Sequence, residues 1–162
     1  MTIAVRPATS ADRAAIADIL MPIVRAGETY ALDRDLSEEH ILAYWFGDGK
    51  TVFVAEDAGR VLGTYYCRAN QAGGGAHVAN CGYATHPQAT GRGIARTMAL
   101  HSFDHARAAS FRAMQYNFVI ATNARAVGLW RSLGFEQVGL LPGAFDHPTL
   151  GEVDALVLYR RL

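Results

Sequence analysis

The sequence is poor in several things, and each shortage argues against something. Lysine occurs once, at Lys50, beside fourteen arginines, and the fifteen basic side chains are matched by fifteen acidic ones for a formal charge of zero. A neutral chain projects no global field to hold a polyanion or an anionic bilayer, so neither nucleic acid nor a membrane surface is an expected partner. Cysteine occurs twice, as Cys67 and Cys81, without metal-ligand spacing. No metal site is expected, and ordinary buried thiols in a reducing compartment fit best. No apolar run approaches the length of about 18 residues needed to cross a bilayer. Met1 to Pro7 holds no apolar segment followed by a cleavage site, and a cytoplasmic protein is expected.

What is present suits one domain spanning residues 1–162, with 51% hydrophobic residues to fill a single core. A chain of this size buries about 70% of its unfolded surface without help from disulfides or metals. Ile3 to Val5 reads as a short strand. Thr9 or Ser10 can cap a helix carrying Ile16, Ile19, Leu20, Ile23 and Val24, which Pro22 is expected to kink or shorten. Ser37 opens a second helix running to about Phe46. Residues 51–57 and 61–69 form a predicted hairpin, and a strand follows from His77 to Thr85. A long helix is predicted from Gly91 to Ser110, a strand from Met114 to Ile120, and a helix capped by Asn123 and ended by Gly134. Strands at Phe135 to Leu141 and Val153 to Tyr159 close the chain. This order implies an α/β fold of the mixed-sheet, α+β kind, with helices on both faces and antiparallel pairs wherever hairpins join strands.

Chemistry concentrates in Gln88-Ala89-Thr90-Gly91-Arg92-Gly93-Ile94-Ala95, between a strand and the long helix. Glycines there let backbone N–H groups converge on an anion, and the helix adds its positive N-terminal dipole. The stretch lacks the Lys-Ser or Lys-Thr of a Walker loop, and Arg96 stands where a dinucleotide fingerprint needs a small residue.

The stretch resembles the acetyl-CoA pyrophosphate loop of the GNAT N-acetyltransferase superfamily, which runs Gln or Arg, two residues, Gly, one residue, Gly or Ala. Val5-Arg6-Pro7-Ala8, Asn123 with Ala126 and Leu129-Trp130, and Leu133-Gly134-Phe135 are similar to the other motifs of that superfamily, in order. The resemblance implies a GNAT fold, a mostly antiparallel central sheet with one splayed parallel strand pair. It implies an enzyme moving acetyl from acetyl-CoA to an amine, with acetyl-CoA as cosubstrate. Tyr83, Ala84 and Thr85 would pair through their backbones with pantetheine. Gln88 and Gly91, Arg92, Gly93, Ile94, Ala95 and Arg96 would hold the pyrophosphate, and Asn123 would contact the pantetheine arm. Trp130 stands where the family commonly has a tyrosine that protonates the departing thiolate. An indole cannot do so, which leaves another group or water.

His77-Val78-Ala79-Asn80-Cys81-Gly82-Tyr83, Tyr116-Asn117-Phe118-Val119, Thr122-Asn123 and Leu129-Trp130-Arg131-Ser132-Leu133-Gly134-Phe135 look like the fungal L-azetidine-2-carboxylate and proline-analogue N-acetyltransferases, which implies a small amino-acid-like or imino-acid-like acceptor. Asn80 and Asn117 would then work at the acetyl site, polarising the thioester carbonyl and orienting the amine. The strand before the loop carries no Glu. Glu28, in Gly27-Glu28-Thr29, is the preferred general base by its likeness to the acceptor segment of the phosphinothricin-type enzymes, with Asp154, His77 and His147 behind it. Tyr30, Tyr65, Tyr66 and Tyr116 are the phenols available as acids. Arg6, Arg25, Arg34 and Arg68 are the candidates for pairing with an acceptor carboxylate. Direct attack within a ternary complex is expected, with no acetylated cysteine. The alternatives are a protein or peptide N-acetyltransferase and a catalytically silent CoA-binding sensor. The apolar final strands are compatible with a homodimer.

Overall fold

The computed structural model describes residues 2–162. Seven strands form one sheet in the order β1-β2-β3-β4-β5-β7-β6. They are β1 (Ala4–Pro7), β2 (Thr51–Asp57), β3 (Arg60–Ala69), β4 (Val78–Thr85), β5 (Ala113–Ile120), β6 (Glu136–His147) and β7 (Gly151–Arg161). The helices are α1 (Arg13–Ala26), α2 (Glu38–Trp45), α3 (Ile94–Ala108) and α4 (Ala124–Ser132). Every neighbouring pair is antiparallel except β4 and β5. The mixed sheet expected from the element order is therefore what forms.

Side-chain alternation along the strands supplies two apolar layers. On one face Tyr65, Met98, Phe103, Met114 and Leu158 pack among α3, α4 and the sheet. On the other, Ile16, Leu20, Ile41, Trp45 and Val54 pack beneath α1 and α2. Burying each large side chain contributes about 1.5–3 kcal/mol. The buried Thr64 hydroxyl donates to the Phe53 carbonyl at 2.8 Å and accepts from the Trp45 indole at 3.0 Å, so α2 is pinned to β3 without an orphaned polar group. Gly63 lets α3 come close, since a Cβ there would lie 2.8 Å from the Ile94 Cγ2.

Three boundaries differ from those expected. α1 continues through Pro22 to Ala26, because Pro22 lies on the exposed side while Ile16, Ile19, Leu20 and Val24 hold the opposite face in the core. α3 begins at Ile94 rather than Gly91, since Gly91 and Gly93 adopt φ of 78° and 80°, outside the helical region. β6 and β7 run past Leu141 and start before Val153 to make a long hairpin, with Pro142-Gly143 absorbed into a register shift between Leu141 and Phe145.

An ion pair ties β1 to the start of α1. Arg6 donates to both carboxylate oxygens of Asp12, at 2.8 and 2.9 Å, and also to Glu56 at 2.9 Å. The Asp12 carboxylate is buried, and the Arg6 hydrogen bonds, with a further one from the Thr9 N–H, hold its pKa well below the usual carboxylate range. A carboxyl depressed in the folded state stabilises fully above its unfolded pKa of about 4 and progressively less as pH falls beneath it. Asp12→Ala should cost about 2 kcal/mol and lower the melting temperature by about 6 °C at pH 7. The difference from wild type should shrink at pH 3, as thermal scans at both pH values would show.

Candidate active site

β4 and β5 are paired only at Val78 with Ala113 and Ala79 with Met114, and then diverge. The gap opens into a cleft of about 730 Å³ walled by both strands, the α1–α2 loop, α2 and the start of α4. The β4 backbone faces this gap in a definite phase. His86 N donates to Leu62 O and Asn70 N to Val78 O at either end of an uninterrupted β3–β4 register. Even-numbered residues therefore spend their amides on β3, and Cys81, Tyr83 and Thr85 direct theirs into the gap. This corrects one expectation: the Ala84 backbone is turned to β3, while Cys81 joins Tyr83 and Thr85 on the open edge. An extended chain carrying amides could add there as a strand.

At the far end of β4 a short 3-10 turn, Pro87–Ala89, leads into the glycine segment. A Cβ at Gly91 or Gly93 would meet no atom within 4 Å, so both positions border open space. Thr97 N is held by Gly93 O at 3.0 Å. The N–H groups of Ile94, Ala95 and Arg96 precede the first turn and have no intrahelical acceptor. An anion fits here by backbone donors and dipole together. Arg92 lies 3.6 Å from Asp57, and Arg96 donates to the Ser132 hydroxyl at 3.2 Å, so both guanidiniums are steered by neighbours. The Ile94 side chain is buried in the core, leaving its backbone as the part that faces the loop. Gln88 is exposed, and its N–H donates to His86 Nδ1 at 3.2 Å.

Four of the polar side chains singled out in the sequence meet in the cleft: Glu28, Asn80, Asn117 and Asn123. Glu28 follows Gly27, which ends α1 in the left-handed conformation and whose Cβ position is filled by Arg34 Cδ at 2.6 Å. That turn delivers Glu28 to the cleft, where it is the lining carboxylate. Asn80 projects toward the α1–α2 side, opposite Arg68 on β3. Asn117 sits where β5 bulges between Tyr116 and Val119. Its amide donates to Asn70 Oδ1 at 2.7 Å and its carbonyl accepts from Gln115 at 3.0 Å, so it is locked in a carboxamide row. Asn123 caps α4, accepting from Ala126 N at 3.3 Å. The other proposed bases lie elsewhere. Asp154 accepts from Gly143 N at 2.9 Å, and His147 borders a second pocket beyond Tyr30.

Trp130 packs between Tyr83 and Tyr116, with ring centroids 5.0 and 4.9 Å away. The phenols beneath it form a chain whose polarity can be worked out. Ser102 Oγ donates to Ala99 O at 2.7 Å, so Tyr83 must donate to Ser102 at 2.7 Å and Tyr116 to Tyr83 at 2.8 Å. The chain ends on a helix carbonyl, and the Tyr116 proton is committed to Tyr83 rather than to the cleft. Burial pushes both phenol pKa values well up. Tyr116 is thus a structural phenol. Tyr116→Phe should leave kcat within about twofold and cost about 1 kcal/mol in a denaturant melt.

Two features of the cleft were not legible in the sequence. The Tyr30 hydroxyl donates to the Tyr83 carbonyl at 2.7 Å, tying the α1–α2 loop to the open edge of β4. Tyr44 and Tyr66, edge to face at 6.3 Å, form an aromatic wall over which Lys50 lies, 3.7 and 4.3 Å from the two ring centroids. Each contact joins residues distant in the chain, and no local pattern announces it.

A parallel strand pair that splays beside an anion-binding helix start, with the free edge of β4 lining the split, suits a long ligand with an anionic end and amides along its arm. The chain belongs to the Acetyltransferase (GNAT) family, whose profile matches residues 14–135. It is an N-acetyltransferase of that family. A GCN5-related N-acetyltransferase structure from Kribbella flavida is 43% identical, covers 99% of this chain and 98% of its own, and superposes with a TM-score of 0.93. A phosphinothricin acetyltransferase from Sinorhizobium meliloti, solved with acetyl-CoA, is 25% identical over 100% of this chain and 89% of its own, with a TM-score of 0.87. N-acetyltransferase aca1 of Schizosaccharomyces pombe is 31% identical over 84 residues, which are 52% of this chain and 40% of the yeast protein. No helix among the described residues is long and apolar enough to cross a membrane.

Proposed function

We propose that the protein acetylates the amine of a small amino-acid-like or imino-acid-like molecule by direct transfer within a ternary complex. The observation that carries this reading is the closure of the cleft on the α1–α2 side. The loop bearing Glu28 is fastened by the Tyr30–Tyr83 bond and by Arg25, which donates to the Arg34 and Leu36 carbonyls. A loop held down along one side narrows the acceptor space, which suits a small amine better than a peptide chain.

Acetyl-CoA, when bound, supplies the activated acetyl group. The N–H groups around Gly91 to Arg96 hold its pyrophosphate, and the open edge at Cys81, Tyr83 and Thr85 aligns the pantetheine arm beside Asn123. Asn80 orients the amine against the thioester carbonyl, and Asn117 stiffens that wall through Asn70 and Gln115. Glu28 takes the proton that the amine must lose before it attacks. The leaving thiolate needs no strong acid, since its conjugate thiol has a pKa near 8.5. Residues 1–162 act as one cytoplasmic domain. The exposed Val138, Leu140 and Leu141 on edge strand β6 support a homodimer, which light scattering would test.

Thiol release from acetyl-CoA should be measured against amino acids, imino acids, phosphinothricin, methionine sulfoximine, polyamines and peptides. Turnover with the small amino or imino acids is the expected result. Turnover with peptides alone would favour the second reading, a peptide acetyltransferase. That reading draws on the 27% identity and TM-score of 0.84 to a ribosomal-protein-alanine N-acetyltransferase from Brucella melitensis. CoA binding with no amine-dependent release would mark a silent module.

A further inference from the structure

We propose that Lys50 and Arg68 together anchor the carboxylate of the acceptor, which makes them the specificity-determining residues of this site. The inference rests on the small-acceptor reading above and adds the means by which an acid is told from a neutral amine.

The four arginines open to this role on sequence grounds reduce to one. Arg6 is committed to Asp12 and Glu56. Arg25 is spent on the carbonyls of Arg34 and Leu36. Arg34 donates its Nε to the Arg25 carbonyl at 2.8 Å and lines the second pocket, on the far side of Tyr30. Arg68 remains. It is exposed, directly across the β3–β4 ladder from the cleft-lining Asn80, with its Nε donating to the Ala69 carbonyl.

Lys50 completes the pair. Its ammonium lies over the faces of Tyr44 and Tyr66, both of which line the cleft, and donates to the Tyr44 carbonyl. Tyr66 also crosses β4 at Gly82, where a Cβ would meet its ring at 2.5 Å, so the aromatic wall is fixed against the cleft floor. Thr51 pairs with Cys67 in the antiparallel β2–β3 ladder, so Lys50, one residue before, stands across that ladder from Arg68, one residue after. Neither takes part in the ion pairs formed among the described residues. Two neighbouring cations without a carboxylate partner repel, and an anion between them relieves that cost. Lys50 and Arg68 flank the cleft through its lining residues Tyr44, Tyr66 and Asn80, and with Glu28 lining it to receive the ammonium end the charges match a zwitterion.

Burial, then the charge of Arg68, lowers the Lys50 pKa to about 8. The groups facing it are Tyr44 from α2 and Tyr66 and Arg68 from β3. Lys50 is therefore charged at neutral pH and loses its proton as pH rises through about 8, which would weaken the anchor in alkaline solution.

The test compares phosphinothricin and L-azetidine-2-carboxylate with their carboxamides. Lys50→Met or Arg68→Met should raise KM for the acids about tenfold, leave kcat within about twofold, and leave KM for the carboxamides unchanged; tenfold corresponds to about 1.4 kcal/mol. Lys50→Arg should keep the preference for acids and carry it undiminished to pH 9, where that of wild type is weakened, since arginine stays charged. Calorimetric titration of phosphinothricin into the protein without acetyl-CoA gives a readout apart from turnover, and the binding should weaken about tenfold in Lys50→Met. Acids turned over with KM unmoved in both Met variants would overturn the anchor and leave the transferase reading intact. Turnover of the carboxamides but not the acids would also overturn it. If nothing is acetylated, the proposed function fails, and the calorimetric comparison decides the anchor by itself.

Discussion

Gly91→Val is expected to raise the KM for acetyl-CoA about 100-fold with little change in the KM for the amine. Two charge-assisted hydrogen bonds from backbone to phosphate, each about 1.5 kcal/mol, account for that factor. Gly91 holds φ at 78° beside open space, where a side chain meets no protein atom. The valine would therefore tax the fold only through backbone strain, about 1–2 kcal/mol, while its branched Cβ occupies the approach to the turn. Gly91→Ala shares the strain with far less bulk and separates the two effects. If the alanine variant melts lower but keeps its KM, and the valine variant loses affinity, the loop acts through close backbone approach. An unchanged KM in Gly91→Val would remove the loop from cofactor binding. Equilibrium binding of CoA, followed independently of turnover, should show the same loss.

The split between what could and could not be read in advance follows sequence distance. The glycine segment, the Asn123 cap and the Gly134 stop are local signals, legible because a turn or helix end depends on a few adjacent residues. The element order sufficed for a mixed sheet. The strand continues past Pro142-Gly143 because the long β6–β7 ladder takes those residues up as an irregularity between Leu141 and Phe145, against their turn-forming preference. The phase of β4 was beyond local reading altogether. Whether Cys81 or Ala84 offers its amide to the cleft depends on which residues pair with β3, a shift of one residue reversing the answer. The same holds for Lys50. The lone lysine in an arginine-rich chain carried no local motif, and its position over Tyr44 and Tyr66 is set by the docking of α2 on β3 through Trp45 and Thr64.

Glu28→Gln should reduce kcat about 100-fold while leaving the KM for acetyl-CoA unchanged. Glutamine keeps the length and hydrogen-bonding capacity of the side chain and removes its ability to accept a proton. The loss should therefore fall on the chemical step, within the range of about 10²–10⁴ typical of general bases. The prediction leans on position, since Glu28 is the lining carboxylate of the cleft while Asp154 is engaged with Gly143 and His147 opens onto the second pocket. The loop that carries it is held at both sides, by Gly27 packed against Arg34 and by Tyr30 on the Tyr83 carbonyl. A base on such a loop is pre-positioned rather than recruited. Tyr30→Phe should accordingly lower kcat by a smaller factor, about three- to tenfold, by loosening the loop without removing the carboxylate. If Glu28→Gln retains kcat within twofold, proton removal passes through water, and the role of Glu28 is confined to attracting the ammonium form of the acceptor. A raised amine KM at constant kcat would be the signature of that outcome.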